Sequence, residues 1–396
     1  MKRTLLLLAL APCLAFAQSK ADKLAHKYII ADGHVDLPYR LKVKHFQLKK
    51  EYTGIPISTD EGDFDYTRAK AGGLDAPFMS IYIPSKFTPS EGKLLADSLI
   101  NMVNFICEEK PTYFEVAKSP SDVRRIFKEG KIALPMGMEN GSPIERLEDV
   151  AYFRKRGISY VTLTHAKPNQ ICDSSYDTTR LWQGLSPFGE KVVLELAKQG
   201  IMIDISHVSD STFYDAARIS PVPLLASHSS LRHFTPGFER NMSDDMLKVL
   251  KENGGVIMIN FGSTFLDGEV TQTREKLRKE LNEILEAKGL KMRDKEAKPL
   301  VEQFFKEHPE AYSDVEKVVD HIDRVVQIAG IDHVGLGSDF DGVGDSLPTG
   351  LKDVSGYPHI VAEMLKRGYS KKDIKKLGSD NVFRVWQATI DYAANH

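Results

Sequence analysis

An α/β chain closed into a (β/α)8 TIM barrel is the reading that three features of this sequence support. Short apolar runs bounded by turns recur along it. Helical patterns separate most of them, and polar residues able to do chemistry sit at the C-terminal ends of the runs. Strands alternating with helices build a parallel sheet, and in a barrel of this kind the strand ends and their loops converge on the face where active sites form. Core histidines scattered at random would not favour strand ends in this way.

The candidate strands cover 28–35, 76–83, 132–138, 160–164, 201–205, 222–226, 255–260 and 334–337. Each is a run of the length and apolar content that a buried strand requires. Apolar residues at helical spacing fill 94–107, 189–199, 244–253 and 313–329. One stretch, 271–310, breaks the rhythm: it is charged and helix-prone, with Glu275-Lys276-Leu277-Arg278-Lys279-Glu280 near its start. Lying between the seventh and eighth strands, it reads as an inserted helical hairpin. A solvated excursion is the expectation, with a lid or a homodimer contact as the alternative.

At the start, Lys2 and Arg3 precede an apolar run over 4–15, and Ala15-Phe16-Ala17 offers small residues for signal cleavage. Residues 1–17 therefore read as an export signal, leaving 18–396 as a single domain in the periplasm or outside the cell. The apolar run is too short to span a bilayer. The end of the chain, 390–396, lacks the hydrophobic tail of a lipid-anchor signal, so no membrane anchor is expected. Taking Lys2 and Arg3 from the 53 basic residues leaves 51 against 55 acidic, a formal charge of −4. That balance leaves no electrostatic footprint for nucleic acid. Beyond the signal, Cys107 and Cys172 are too few for a disulfide framework, and one bridge or two free thiols both remain open.

The chemistry starts with Asp32-Gly33-His34-Val35-Asp36 at the end of the first strand. Residues two apart on a strand point the same way, so His34 and Asp36 project together, an imidazole and a carboxylate suited to a divalent metal. Glu139 ends the third strand and can bridge two cations. His207 and His228 end consecutive strands and offer paired neutral nitrogens, the preference of zinc. The expectation is a centre of two Zn2+ ions, one held by His34, Asp36 and Glu139, the other by Glu139, His207 and His228. Two such ions share a water, lower its pKa and generate a bridging hydroxide for hydrolysis of an amide or ester. Asp339, at the end of the eighth strand, is placed to shuttle a proton to the leaving amine. Asp341, two residues on, reads as a turn residue. His165 is the strand-end histidine left to contact the oxyanion or substrate, and Arg240 suits a substrate carboxylate.

These motifs, together with Thr164-His165, Asp204-Ile205-Ser206-His207, Ser227-His228-Ser229, Arg240-Asn241 and the run 335–342, resemble the membrane dipeptidase (renal dipeptidase, M19 peptidase) family from about 29 to 384. The resemblance implies a barrel of the metal-dependent amidohydrolase type and a zinc dipeptidase that tolerates a C-terminal D-residue. It also implies that His34, Asp36, Glu139, His207 and His228 are zinc ligands. By the same likeness His165 and Arg240 bind the dipeptide, and Asp339 is both acid/base and amine partner. Mammalian members carry a disulfide between the loops after the second and fourth strands, where Ser85 and Lys167 stand here without cysteine. The alternative is another binuclear amidohydrolase acting on a lactam, lactone or N-acyl amino acid.

Overall fold

Eight parallel strands close on themselves in the computed structural model, which describes residues 20–43, 54–55, 57–292 and 294–396. The expected export signal, 1–17, lies outside the described residues. In chain order the strands are β1 (Ile30–Val35), β2 (Leu74–Tyr82), β3 (Phe114–Val116), β4 (Ile132–Leu134), β5 (Met136–Glu139), β6 (Ile158–Thr162), β7 (Met202–Asp204), β8 (Leu225–Ser229), β9 (Val256–Ile259) and β10 (Val334–Leu336). The barrel runs β1-β10-β9-β8-β7-β6-β5-β2 and closes through β1 and β2. The expected (β/α)8 barrel is therefore the fold.

Alternation along each strand sorts its side chains between the barrel interior and the surrounding helices. Val256 and Met258 join an inner cluster with Ala31, Tyr160, Met202 and Leu225. Their neighbours Ile257, Ile259, Val161 and Ile203 join the larger outer cluster. Because both faces are covered, these strands are buried along their length, which is why they appear in the sequence as continuous apolar runs. An aromatic column rises through the interior: Trp386, on the last helix Asn381–Asn395, packs 5.2 Å from Phe78, which lies 5.6 Å from Tyr160.

Three expectations need correction. The run 132–138 is not one strand. Pro135 has no N–H to give a ladder, and it divides the run: β4 pairs with β3 in a separate two-stranded parallel sheet, while β5 belongs to the barrel. The sixth barrel strand lies later than expected, so His228 falls within β8 rather than beyond it. The insertion begins earlier, as the helix Gly268–Glu286 capped by Asp267, followed by the helix Lys298–Glu307. It packs a small core of its own from Leu277, Leu281, Leu285, Ala297, Phe304, Phe305 and Ala311.

Candidate metal centre

Glu139 stands at the middle of the barrel mouth with its two oxygens facing different partners. Oε2 lies 3.4 Å from His34 Nε2. Oε1 lies 3.0 Å from His207 Nε2, 3.3 Å from His228 Nε2 and 3.5 Å from His165 Nε2. Asp36 Oδ2 reaches His34 Nε2 at 3.4 Å. These groups form three overlapping sets of metal-capable donors: His34, Glu139 and His228; Glu139, His165 and His207; and His34, Asp36 and Asp339. All five expected ligands thus converge, and His165 and Asp339 sit within the same clusters. The expectation that the strand ends meet at one place holds.

The rings are aimed by partners behind them. Tyr160 Oη donates to Gly33 O at 3.0 Å, so at its 2.9 Å contact with His34 Nδ1 it accepts the ring's proton. His34 Nε2 is left facing the site with no hydrogen-bond partner. Ser227 Oγ donates to Asp204 Oδ2 at 2.7 Å and accepts from His228 Nδ1 at 2.7 Å, turning the His228 Nε2 lone pair inward. Asp204 also takes Thr162 Oγ1 at 2.5 Å and the Ser227 and Ser206 amides at 2.8 and 3.1 Å. Such carboxylate–hydroxyl–imidazole relays fix the tautomer of metal-ligating histidines.

The electrostatics draw positive charge to this point. Burial resists a charge on His34, but Tyr160, Glu139 and Asp36 outweigh it and raise its pKa well above the ordinary value. Burial also resists ionisation of Glu139, yet His34, His165, His207 and His228 hold its pKa well below the usual range. Burial keeps His207 and His228 neutral, and their Nε2 atoms lie 2.9 Å apart. Two lone pairs that close repel unless a cation or proton stands between them. With the unpartnered His34 Nε2 and Asp36 Oδ1, that makes the donor set fit divalent metal ions. The backbone is held tightly here too: Asn140, His207, Asp339 and Asp341 all have φ between 63° and 81°. Non-glycine residues adopt that region uncommonly, Asn, Asp and His most readily among them.

Asp339 is fixed by Asn260 Nδ2 at 2.8 Å and by its own amide on His34 O at 3.1 Å. Burial, less a contribution from His34 and aided by Asp36 and Glu139, pushes its pKa up to about 8. Asp341, at the cavity's edge, is held by Arg40 at 2.9 Å and by the Asp63 amide at 2.7 Å, a structural role as expected of a turn residue. Arg240 is buried, giving hydrogen bonds to Ser229 Oγ at 2.6 Å and His228 O at 2.8 Å. Among the described residues it has no carboxylate in ion-pair contact, and its Nε has no partner. Above the centre opens a cavity of about 750 Å³. Asp36, Glu139, His165, His207 and Asp339 form its floor, and Tyr176 and Phe265 line it, with the Arg240 guanidinium 5.5 Å from the Phe265 ring. The insertion helix supplies a further wall through Thr271, Arg274, Glu275 and Arg278, so the solvated-excursion reading of 271–310 is corrected.

Residues 18–396 match the membrane dipeptidase family, Peptidase family M19. The chain belongs to that family. It is 33% identical over 382 residues to dipeptidase tcpJ of Claviceps purpurea, covering 92% of this chain and 78% of the relative. Its fold matches the crystal structure of the probable dipeptidase PvdM from Pseudomonas aeruginosa at a TM-score of 0.78 and 26% identity, over 96% of this chain and 100% of that one. A metallo peptidase from Rhodobacter sphaeroides, crystallised with a phosphinate mimic of L-Ala-D-Ala, shares the fold at a TM-score of 0.73 and 23% identity, over 91% and 99% of the two chains. This M19 member is a metal-dependent dipeptidase, a hydrolase of peptide bonds in small substrates. Among its described residues no helix is long and apolar enough to cross a membrane.

Sequence reasoning missed the supporting residues of this dipeptidase. Tyr160 matched the family pattern in the sequence but carried no assigned role, and Asn260 was visible only as a strand end. Asp204 and Ser227 lie in the quoted motifs, but their relay depends on β7 and β8 being neighbours. Tyr82, lining the cavity 4.8 Å from the His165 ring, had no signal beyond its place in an apolar run.

Proposed function

We propose that this dipeptidase uses two zinc ions, one held by His34, Asp36 and Glu139 and the other by Glu139, His207 and His228. The observation that carries the proposal is the division of Glu139: one oxygen on the His34 side and the other 3.0 and 3.3 Å from His207 and His228. Two divalent ions held there would acidify a shared water toward neutral pH and polarise the scissile carbonyl.

The chain's own groups do the rest. Arg240, a buried guanidinium without a carboxylate, takes the dipeptide's C-terminal carboxylate and so limits substrates to those ending at that distance. Its guanidinium lies 5.5 Å from the ring of Phe265, which with Tyr176 lines the cavity. His165, kept neutral chiefly by burial, donates an N–H toward the carbonyl oxygen as negative charge develops there. Asp339 accepts the proton of the attacking water and passes it to the peptide nitrogen as the C–N bond breaks, leaving a free amine and a carboxylate. The proposal extends to dipeptides ending in a D-residue, which a cavity of about 750 Å³ is large enough to hold.

The test is elemental analysis alongside product release from L-Ala-L-Ala and L-Ala-D-Ala. Active protein should contain about two zinc ions per chain, and His207→Ala should lose one ion and most turnover. A fully active His207→Ala protein that keeps both ions, or active wild type free of transition metal, overturns the assignment.

A further inference from the structure

The insertion helix Gly268–Glu286 presents one face to the cavity: Thr271, Arg274, Glu275 and Arg278, spaced as neighbours on a single helical surface. Arg274 is buried and spends its guanidinium on the carbonyls of Ala311, at 2.8 Å, and Asp345. Phe305 and Tyr312 flank it, each ring 5.1 Å away. Its hydrogen bonds therefore fix it in place without neutralising it. Arg278 is exposed toward the cavity, and among the described residues neither it nor Glu275 is in ion-pair contact. The two guanidiniums are close enough that the charge of Arg278 works against that of Arg274. The Asp345 carboxylate also acts on Arg274, but Lys352 beside Tyr312 faces the same carboxylate, so three cations against Glu275 and Asp345 leave this wall net positive. A dipeptide's own amine and carboxylate cancel, and Arg240 takes the carboxylate away from this helix, so the group left to meet the wall is a substrate side chain.

We propose that the insertion wall, through Arg278 with Arg274 behind it, selects dipeptides bearing an anionic side chain. This rests on the dipeptidase reading above and names its substrate class. Arg274 sets the field, while Arg278, free to move, makes the contact. Glu275, one turn away, disfavours binding of the same side chain and sharpens rejection when Arg278 is absent.

The experiment compares kcat/KM for Asp-Ala against Asn-Ala and for Ala-Asp against Ala-Asn, using zinc-loaded full-length protein. The isosteric amides keep size constant and remove only the charge. Wild type should favour the acid in at least one position by roughly tenfold or more, the order expected of a hydrogen bond to a charged group. Arg278→Gln should bring that ratio near one, mainly through KM of the acidic peptide, and Glu275→Gln should raise it. Added salt should shrink the wild-type ratio. Equal rates on acid and amide in wild type, or an unchanged ratio in Arg278→Gln, overturn the inference while leaving the dipeptidase intact. Cleavage of L-Ala-L-Ala but of none of the four peptides overturns this inference alone, whereas failure on L-Ala-L-Ala as well overturns the dipeptidase reading and this inference with it.

Discussion

Ser227 is not among the residues lining the cavity, yet it decides which nitrogen of His228 faces Glu139. Ser227→Ala removes both the acceptor for Nδ1–H and the donor to Asp204, so zinc affinity should fall about 10- to 100-fold. Competition with a chromogenic chelator measures this, and unchanged affinity would contradict the relay. A second buried histidine, not among the residues lining the cavity, bears on stability. His321 accepts the Leu231 amide on Nδ1 at 3.1 Å and donates from Nε2 to Leu266 O at 2.9 Å, so its neutral form is fully satisfied. Burial depresses its pKa from 6.5 to about 3. Between those values the unfolded chain binds a proton that the native state refuses, so this contribution is complete above pH 6.5 and drains as pH falls toward 3. From pH 6.5 to 5 the loss should be about 2 kcal/mol. Urea titrations should therefore give a steeper pH slope for wild type than for His321→Gln. At this scale the convergence of His34, Asp36, Glu139, His207 and His228 was legible because strand ends expose chemistry to sequence reading. Ser227, Asp204 and Tyr160 were not, since their roles exist only once separate strands are side by side.

The strands β1, β8 and β10 meet so closely that glycine is required at two points. A Cβ on Gly33 or on Gly337 would collide with the carbonyl oxygen of Ser227, the residue that orients His228. Gly337→Ala should therefore destabilise by roughly 1–3 kcal/mol, the range for overpacking, and impair metal binding as well. Chemical denaturation checks the first effect, and a wild-type midpoint would show that the strands can part at no cost. The barrel strands were legible because burial on both faces leaves continuous apolar runs. The break at Pro135 was not, because β4 and β5 are each apolar and the missing proline amide matters only once pairing partners are known. The insertion was recognised as helical from its charge pattern, whereas the direction of its 271/274/275/278 face depends on tertiary packing.

For the molecule as a whole, the barrel gathers carboxylates and neutral imidazoles at one mouth, and the ions that bind there favour the folded state. Stripping metal with a chelator should lower the melting temperature. Zinc at about 100 times its Kd should restore roughly 2.7 kcal/mol, as followed by scanning calorimetry with and without metal. Identical melting curves would mean the mouth is built without help from ions. The near balance of charge, read directly from composition, agrees with a site that handles small zwitterions rather than polyanions. The insertion's apolar cluster, from Leu277 to Ala311, is packed apart from the barrel's own. Descendants of this chain can resize or recharge that annexe without touching the packing that aims the imidazoles. Diet can therefore change by substitutions in that annexe while the hydrolytic chemistry stays put.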